Sequence, residues 1–204
     1  MVIPASTTSY LCWPTDTVGG VNQRETPLHD LGGGVALELP QLVTHELDTL
    51  RVEIEPMYDA TRRRVIARSV RVAAGDGEEV TSTALHSVRL KELLRRIATD
   101  AIRISATAGE SDDWSGIYLH PASRLPLTEQ KAAELRSLGP SRETVEAVAL
   151  IYRIAEITGD APVRAVQAAF GIPRGTAASW VVRARAAGYL SDGDPTDGID
   201  QAEI

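Results

Sequence analysis

The sequence predicts an α+β fold in which a small antiparallel hairpin with a covering helix precedes an all-α domain of three helices. Three observations indicate this fold. Apolar and charged residues alternate from Leu50, an amphipathic helical pattern starts near Leu90, and three glycine-bounded helical segments follow Ser141. Apolar residues make up 43% of the 204 residues and aromatic residues only 4%, so the core must be mostly aliphatic.

The predicted hairpin rests on two runs of residues that fit β-strands. In residues 50–55, aliphatic side chains alternate with charged ones, as in a strand with one buried face. Turn residues fill 56–61, the apolar run 65–72 predicts the second strand, and glycines within 75–77 end it. Residues 80–85 predict a short third strand.

An amphipathic helix follows, with Ser87 as its expected N-cap. Because a hairpin alone is only marginally stable in water, we expect the apolar stripe of this helix to cover it. Residues of the stripe recur at spacings of three and four: Leu90, Leu93, Leu94, Ile97, Ala98, Ala101 and Ile102.

The segment from Ser141 predicts three helices in close succession. Ser141 is an expected N-cap, and the apolar residues 145–157 indicate a helix that is buried on more than one side. Pro162 opens a second helix that ends at Gly171, and a third helix spans residues 174–187. Two short helices joined by a three- or four-residue turn containing glycine form a helix-turn-helix unit.

The turn determines which side chains this unit buries. Gly171 can adopt a positive φ and reverse the chain tightly. The expected interior residues are Val166, Phe170, Ile172, Ala177 and Trp180. The expected exposed side of the third helix carries Arg174, Gly175, Thr176, Ala178, Ser179 and Arg183. A helix with such a face fits the major groove of DNA, with its N-terminal residues toward the base edges.

Charge is distributed unevenly along the chain. The net charge is −7, yet residues 161–191 contain no acid and four arginines, which we expect to contact DNA: Arg164, Arg174, Arg183 and Arg185. Residues 192–204 contain five acids and no base. This composition predicts a solubilising tail or, alternatively, a tail that competes with phosphate for the arginines.

These patterns divide the chain into five parts. A flexible arm rich in Thr, Ser, Gly and Pro is expected over residues 1–40. An α+β module over 41–104 would mediate dimerisation or bind a protein partner. A linker with one short helix follows over 105–140, then the helix-turn-helix domain over 141–190 and the acidic tail over 191–204.

A resemblance to a known class of proteins rests on residues 148–190, which read VALIYRIAEITGDAPVRAVQAAFGIPRGTAASWVVRARAAGYL. This segment resembles the helix-turn-helix of actinobacterial and phage-associated regulators, over about a fifth of the chain, and the resemblance implies DNA binding. It departs from that pattern at Gln167, where a small residue is usual, and at Ser179 and Val182, where many such proteins carry bases. The acidic sequence after Gly188 predicts no β-wing.

Other function classes lack their sequence signatures. No stretch approaches the ~20 apolar residues of a membrane helix, and no secretion signal is recognisable. The histidines and Cys12 show no metal-ligand spacing, and there is neither a phosphate-binding loop nor a nucleophile elbow. We therefore expect no enzyme, cofactor, metal site or catalytic residue.

The expected function is that of a transcriptional regulator that binds double-stranded DNA as a homodimer, in the cytoplasm at the nucleoid. Two alternatives stay open. The helical domain could bind a protein, as in an adaptor or a phage accessory factor. The protein could also be an accessory subunit of DNA packaging or recombination, which would bind DNA without controlling a promoter.

Overall fold

The computed structural model describes residues 28–47, 50–75, 78–104 and 127–190. The α+β class is confirmed, because these residues form two three-stranded antiparallel sheets and six helices. Three predicted features lie outside the described residues: the arm over 1–27, most of the linker (105–126) and the acidic tail (191–204).

The first sheet joins two segments that are far apart in sequence. Its strands are β1 (Leu28–Asp30), β2 (Val35–Glu38) and β6 (Ile102–Ile104), in the order β1-β2-β6. Val35 pairs with Ile104 and Leu37 with Ile102, and all four side chains are buried.

The expectation of a flexible arm is therefore wrong over residues 28–40. Gly32, Gly33 and Gly34 have φ angles of 77°, 60° and 76°, and they form the turn between β1 and β2. Three successive positive φ angles are tolerated only by glycine, so this glycine run specifies a tight turn rather than flexibility.

The second sheet contains the predicted hairpin. Its strands are β3 (Val43–Leu47), β4 (Leu50–Asp59) and β5 (Arg64–Ala74), in the order β3-β4-β5. The expected turn at 56–61 is wrong over 56–59, because β4 continues through a bulge between Glu55 and Pro56. β3 pairs with β4 only up to Ile54, so Pro56 has one neighbouring strand, and a proline is tolerated there.

Two helices follow β5, of which the first was expected to be a strand and the second was expected to be a helix. Residues expected as a third strand form α1 (Ser82–Ser87), whose N-cap Thr81 accepts a hydrogen bond from the amide of Ala84 at 3.2 Å. The amphipathic helix is confirmed as α2 (Leu90–Ala101), with Arg89 rather than Ser87 at its N-cap. Ser87 ends α1 instead, and Ile102 belongs to β6.

Four helices complete the described chain. They are α3 (Glu129–Ser137), which is the short helix expected before residue 140, α4 (Arg142–Thr158), α5 (Pro162–Phe170) and α6 (Arg174–Ala186). Side chains of α4 enter two cores. Ile154 and Ile157 join the core of the two sheets and α2, whereas Val148 and Tyr152 join the core of α3 to α6. The helical domain therefore packs directly on the α+β module.

Candidate nucleic-acid interface

The helix that precedes the helix-turn-helix pair is capped at both ends. At the start of α4, the hydroxyl of Ser141 accepts a hydrogen bond from the amide of Thr144 at 3.3 Å, as its position predicts. At its end, Gly159 adopts a left-handed conformation with φ 72°. The chain then turns at once into α5, where Pro162 occupies the first turn.

The turn between α5 and α6 depends on Gly171. This residue has φ 58° and ψ 37°, the left-handed conformation that the sequence predicts for it. The guanidinium Nη1 of Arg136, in α3, donates a hydrogen bond to the carbonyl oxygen of Phe170 at 2.8 Å. A Cβ atom on Gly171 would lie 2.8 Å from the same Nη1. A helix outside the helix-turn-helix pair therefore closes its turn.

The interior of the unit is built around two aromatic rings. Phe170 is fully buried and Trp180 is 7% exposed. Their centroids are 5.3 Å apart and their planes meet at 84°, an edge-to-face contact. Val166 and Ala177 are also fully buried, and Ile172 is half-buried against this core. The predicted interior is thus confirmed.

The opposite side of α6 faces solvent. Among the residues expected there, Arg174, Gly175, Ala178, Ser179 and Arg183 are exposed and Thr176 is half-buried. The helix contacts only α4 and α5 extensively, so the α+β module does not cover this face. The predicted α5 residue Arg164 is exposed as well.

The N-terminal end of α6 is open. The first hydrogen bond at this end runs from the amide of Ala177 to the carbonyl oxygen of Pro173 at 3.0 Å. The amides of Arg174, Gly175 and Thr176 therefore precede the helical ladder. Pro173, at the N-cap, has no side-chain oxygen to accept from them, and the first turn contains no acid. Such an end attracts an anion such as a phosphate.

Three exposed arginines of α5 and α6 have side chains without a protein partner among the described residues. The side chains of Arg164, Arg174 and Arg183 form neither an ion pair nor a hydrogen bond there. Two exposed bases of α3 and α4 are, by contrast, in ion pairs: Lys131 lies 2.6 Å from Glu143, and Arg142 lies 2.9 Å from Glu146. Within α4 to α6, the exposed arginines without a described partner therefore lie on α5 and α6; the α+β module carries unpaired bases as well, such as Arg64 and Arg68.

The structure corrects the role that the sequence predicted for Arg185. The sequence suggested that it contacts DNA, but the structure places it half-buried against α4. Its Nη2 donates a hydrogen bond to the hydroxyl of Tyr152 at 2.8 Å, and its guanidinium carbon lies 5.4 Å from the centre of that ring. This contact ties α6 to α4. The signal was available, because Arg185 follows the buried Val181 by four residues and so lies near the buried stripe.

The segment after α6 forms hydrogen bonds with α4. The hydroxyl of Tyr189 donates a hydrogen bond to Glu146 Oε1 at 2.8 Å, and Arg153 Nη2 donates one to the carbonyl oxygen of Tyr189. The hydrogen bonds from Arg142 and from Tyr189 hold the pKa of Glu146 below its usual range. These contacts fix the direction in which α6 presents its exposed face.

Sequence reasoning missed two residues of this region. Arg136 was read as part of a linker helix, and no local signal shows that it reaches the carbonyl of Phe170, 34 positions away. The sequence analysis noted Val182 only because many similar proteins carry a basic residue at this position. It is 61% exposed on the face of α6, and the helical period from Ala178 would have placed it there.

Within residues 28–47, 50–75, 78–104 and 127–190, no group of three metal-ligating side chains is close enough to hold an ion, and no helix is long and apolar enough to cross a membrane. Comparison of the chain with models of protein families, with curated proteins and with solved structures finds no match.

Proposed function

We propose that α5 and α6 form a helix-turn-helix that binds double-stranded DNA, with α6 in the major groove, and that the protein regulates transcription. One observation carries this proposal: the exposed face of α6 holds Arg174 at its open N-terminus and Arg183 in its last turn, and neither side chain forms an ion pair with a described residue. A helix dipole and free amides favour phosphate, and arginine favours both phosphate and guanine edges.

The roles of the arginines follow from their positions. Arg174 lies in the first turn of α6, where a side chain in the groove reaches base edges. Arg183 lies about two and a half turns further on, in the last turn of α6, and Arg164 lies on α5, which crosses the DNA backbone in such units. We assign Arg174 to base contact and the other two to phosphate contact.

A homodimer is part of the proposal. A single helix-turn-helix makes few contacts, and two copies related by a twofold axis supply the rest. The α+β module is assigned the pairing role, since it leaves α6 uncovered. Sedimentation of the full chain with and without DNA tests this, and a monomer under both conditions contradicts it.

The test of DNA binding measures the affinity for a labelled mixed-sequence duplex from about 50 to 200 mM salt. We expect affinity to fall steeply with salt, and Arg183→Ala to reduce the slope of log affinity against log salt by about 0.9 for each lost phosphate contact. Arg174→Ala should change the sequences selected from a random pool. Arg68→Ala is the matched control, because Arg68 is an exposed arginine of β5 without a described partner.

The outcomes separate the alternatives. DNA retention that neither Arg174→Ala nor Arg183→Ala changes overturns the proposal and favours a protein-binding adaptor. Salt-sensitive binding that shows no enrichment of any sequence from the pool contradicts the regulator and favours a packaging or recombination subunit.

A further inference from the structure

The exposed side of α6 carries two parallel rows of side chains. Residues four apart on a helix lie above one another. The first row consists of Arg174, Ala178, Val182 and Ala186, and the second of Gly175, Ser179 and Arg183. All seven residues are exposed. Each row thus combines small or apolar side chains with one arginine.

The stability of the protein does not explain why an apolar residue occupies the exposed position 182. At 61% Val182 is the most exposed large apolar side chain of the described residues, and its neighbours Val181 and Ala184 supply the buried contacts of this turn. A β-branched residue on a solvated helix face has a lower helix propensity than alanine, lysine or glutamate. Its single preferred rotamer, however, makes it a rigid apolar contact with little entropy to lose on binding.

The spacing of the first row matches a major groove. Val182 follows Arg174 by eight residues, which at the rise of an α-helix is about 12 Å. The major groove is about 12 Å wide. Ala178 lies midway, about 6 Å from Val182, which is close to two base steps. If α6 enters the groove with Arg174 in contact, Ala178 and Val182, which share its row, face the same groove.

Only one base presents an apolar group in the major groove of unmodified DNA. The C5-methyl group of thymine projects into the groove, and alanine-like or methyl-bearing side chains contact it. On the assumption that the proposed function holds, we propose that Ala178 and Val182 read thymine methyl groups and thereby set the sequence preference of the protein.

The charges around Val182 select DNA over an apolar protein partner. Arg183 lies next to it and Arg174 shares its row, and both lack an ion pair among the described residues. A protein groove that accepted Val182 would leave these two charges uncompensated unless it also supplied carboxylates. A duplex supplies phosphates on both sides of the groove and a methyl group on its floor.

The test begins with selection of duplexes by the full chain from an amplified random-sequence pool, in which thymine is the only base with a 5-methyl group. Each thymine of the selected sequence is then replaced singly by deoxyuridine, which differs only by the methyl group. We expect one or two positions at which the affinity falls about fourfold, the effect of one buried methyl group.

Val182→Ala assigns the contact to its residue. We expect this variant to lose affinity by a similar factor and to be indifferent to deoxyuridine at one of the sensitive positions. Val70→Ala is the matched control, since Val70 is an exposed valine of β5, away from α6. Val182→Ala should not lower the unfolding midpoint, because the side chain is exposed and alanine has the higher helix propensity.

The possible failures are distinguishable. If the chain retains no duplex from the pool, the proposed function itself is wrong. If it binds a selected sequence but tolerates deoxyuridine at every position, or if Val182→Ala remains as sensitive as the parent chain, thymine readout by this row is wrong and the proposed function stands.

Discussion

The guanidinium of Arg136 fills the space into which a side chain on Gly171 would point. Its Nη1 is held there by the carbonyl oxygen of Phe170 at 2.8 Å, and a Cβ on Gly171 would come within 2.8 Å of it. The turn of the helix-turn-helix is therefore specified twice, by the left-handed conformation of its glycine and by a side chain from α3.

Gly171→Ala should destabilise the protein by more than the conformational strain alone. The left-handed conformation costs an alanine about 1–2 kcal/mol. In addition, the new methyl group must displace Arg136 from its hydrogen bond, which adds about 1 kcal/mol. Urea unfolding of the variant measures the total.

Two variants isolate the second contribution. Gly159→Ala is the matched control, because Gly159 has φ 72° but no atom within 4 Å of an added Cβ. In an Arg136→Ala background, the cost of Gly171→Ala should fall to that of Gly159→Ala. An undiminished cost in that background would show that Arg136 does not close the turn.

Trp180→Ala should unfold the helix-turn-helix unit. The indole is 93% buried and meets Phe170 edge to face, so its removal leaves a large cavity at the contact of α5 and α6. Substitutions of this kind cost about 3–5 kcal/mol. The measurement is the free energy of unfolding by circular dichroism, with the exposed Val182→Ala on the same helix as control. A melting temperature equal to that of the parent chain would mean that Trp180 does not pack in this core.

The helices α4, α5 and α6 could be predicted because their signals are local. Pro162, Gly171 and the helical period are read within a few residues, and they place Phe170 and Trp180 in the interior without reference to the rest of the chain. The partner of Arg185 could not be read in this way. Tyr152 lies 33 positions earlier, and the composition of the basic segment suggested DNA instead.

The first sheet was missed for the same reason. β2 has four residues and pairs with β6, more than 60 positions later, so no local pattern shows the pairing. Gly32, Gly33 and Gly34 then read as a flexible segment, although their positive φ angles make them a turn. Short strands whose pairing partners are distant in sequence are the part of this fold that could not be predicted from a single sequence.

The protein should lose stability as the pH falls below 6.5, because of His45. Burial, followed by the positive charge of Arg96, lowers the pKa of His45 from 6.5, and the charge of Asp100 opposes this only in part. Among the described residues, Nε2 of His45 has no hydrogen-bond partner. The unfolded chain therefore binds the proton first, and the stabilisation present above pH 6.5 is lost on acidification.

Urea unfolding between about pH 7.5 and pH 5 measures this loss. One proton accounts for a slope of at most about 1.4 kcal/mol per pH unit. The slope should be smaller in His45→Gln than in the parent chain. Burial raises the pKa of Asp100 above 3.8, which acts in the opposite direction on acidification, and Asp100 is present in both proteins that are compared. Equal slopes in the two proteins would exclude His45 as the cause.

Gly33→Ala should loosen the attachment of the helix-turn-helix domain to the α+β module. A Cβ at this position would overlap the guanidinium of Arg153, which donates a hydrogen bond to the carbonyl oxygen of Tyr189. Arg153 thus lies between the β1–β2 turn and the segment after α6. We expect Gly33→Ala to cost about 1 kcal/mol more than Gly32→Ala, whose φ of 77° imposes similar strain but whose Cβ would meet nothing within 4 Å.

A double-mutant cycle with Arg153→Met completes the argument. Methionine keeps much of the apolar stem of Arg153 but removes the guanidinium, so the excess cost of Gly33→Ala should disappear in that background. Hydrogen exchange of the amides after α6 should rise in Gly33→Ala and stay unchanged in Gly32→Ala, because only the former displaces Arg153 from Tyr189. Equal exchange in the two variants would mean that Arg153 does not connect the sheet to the end of α6.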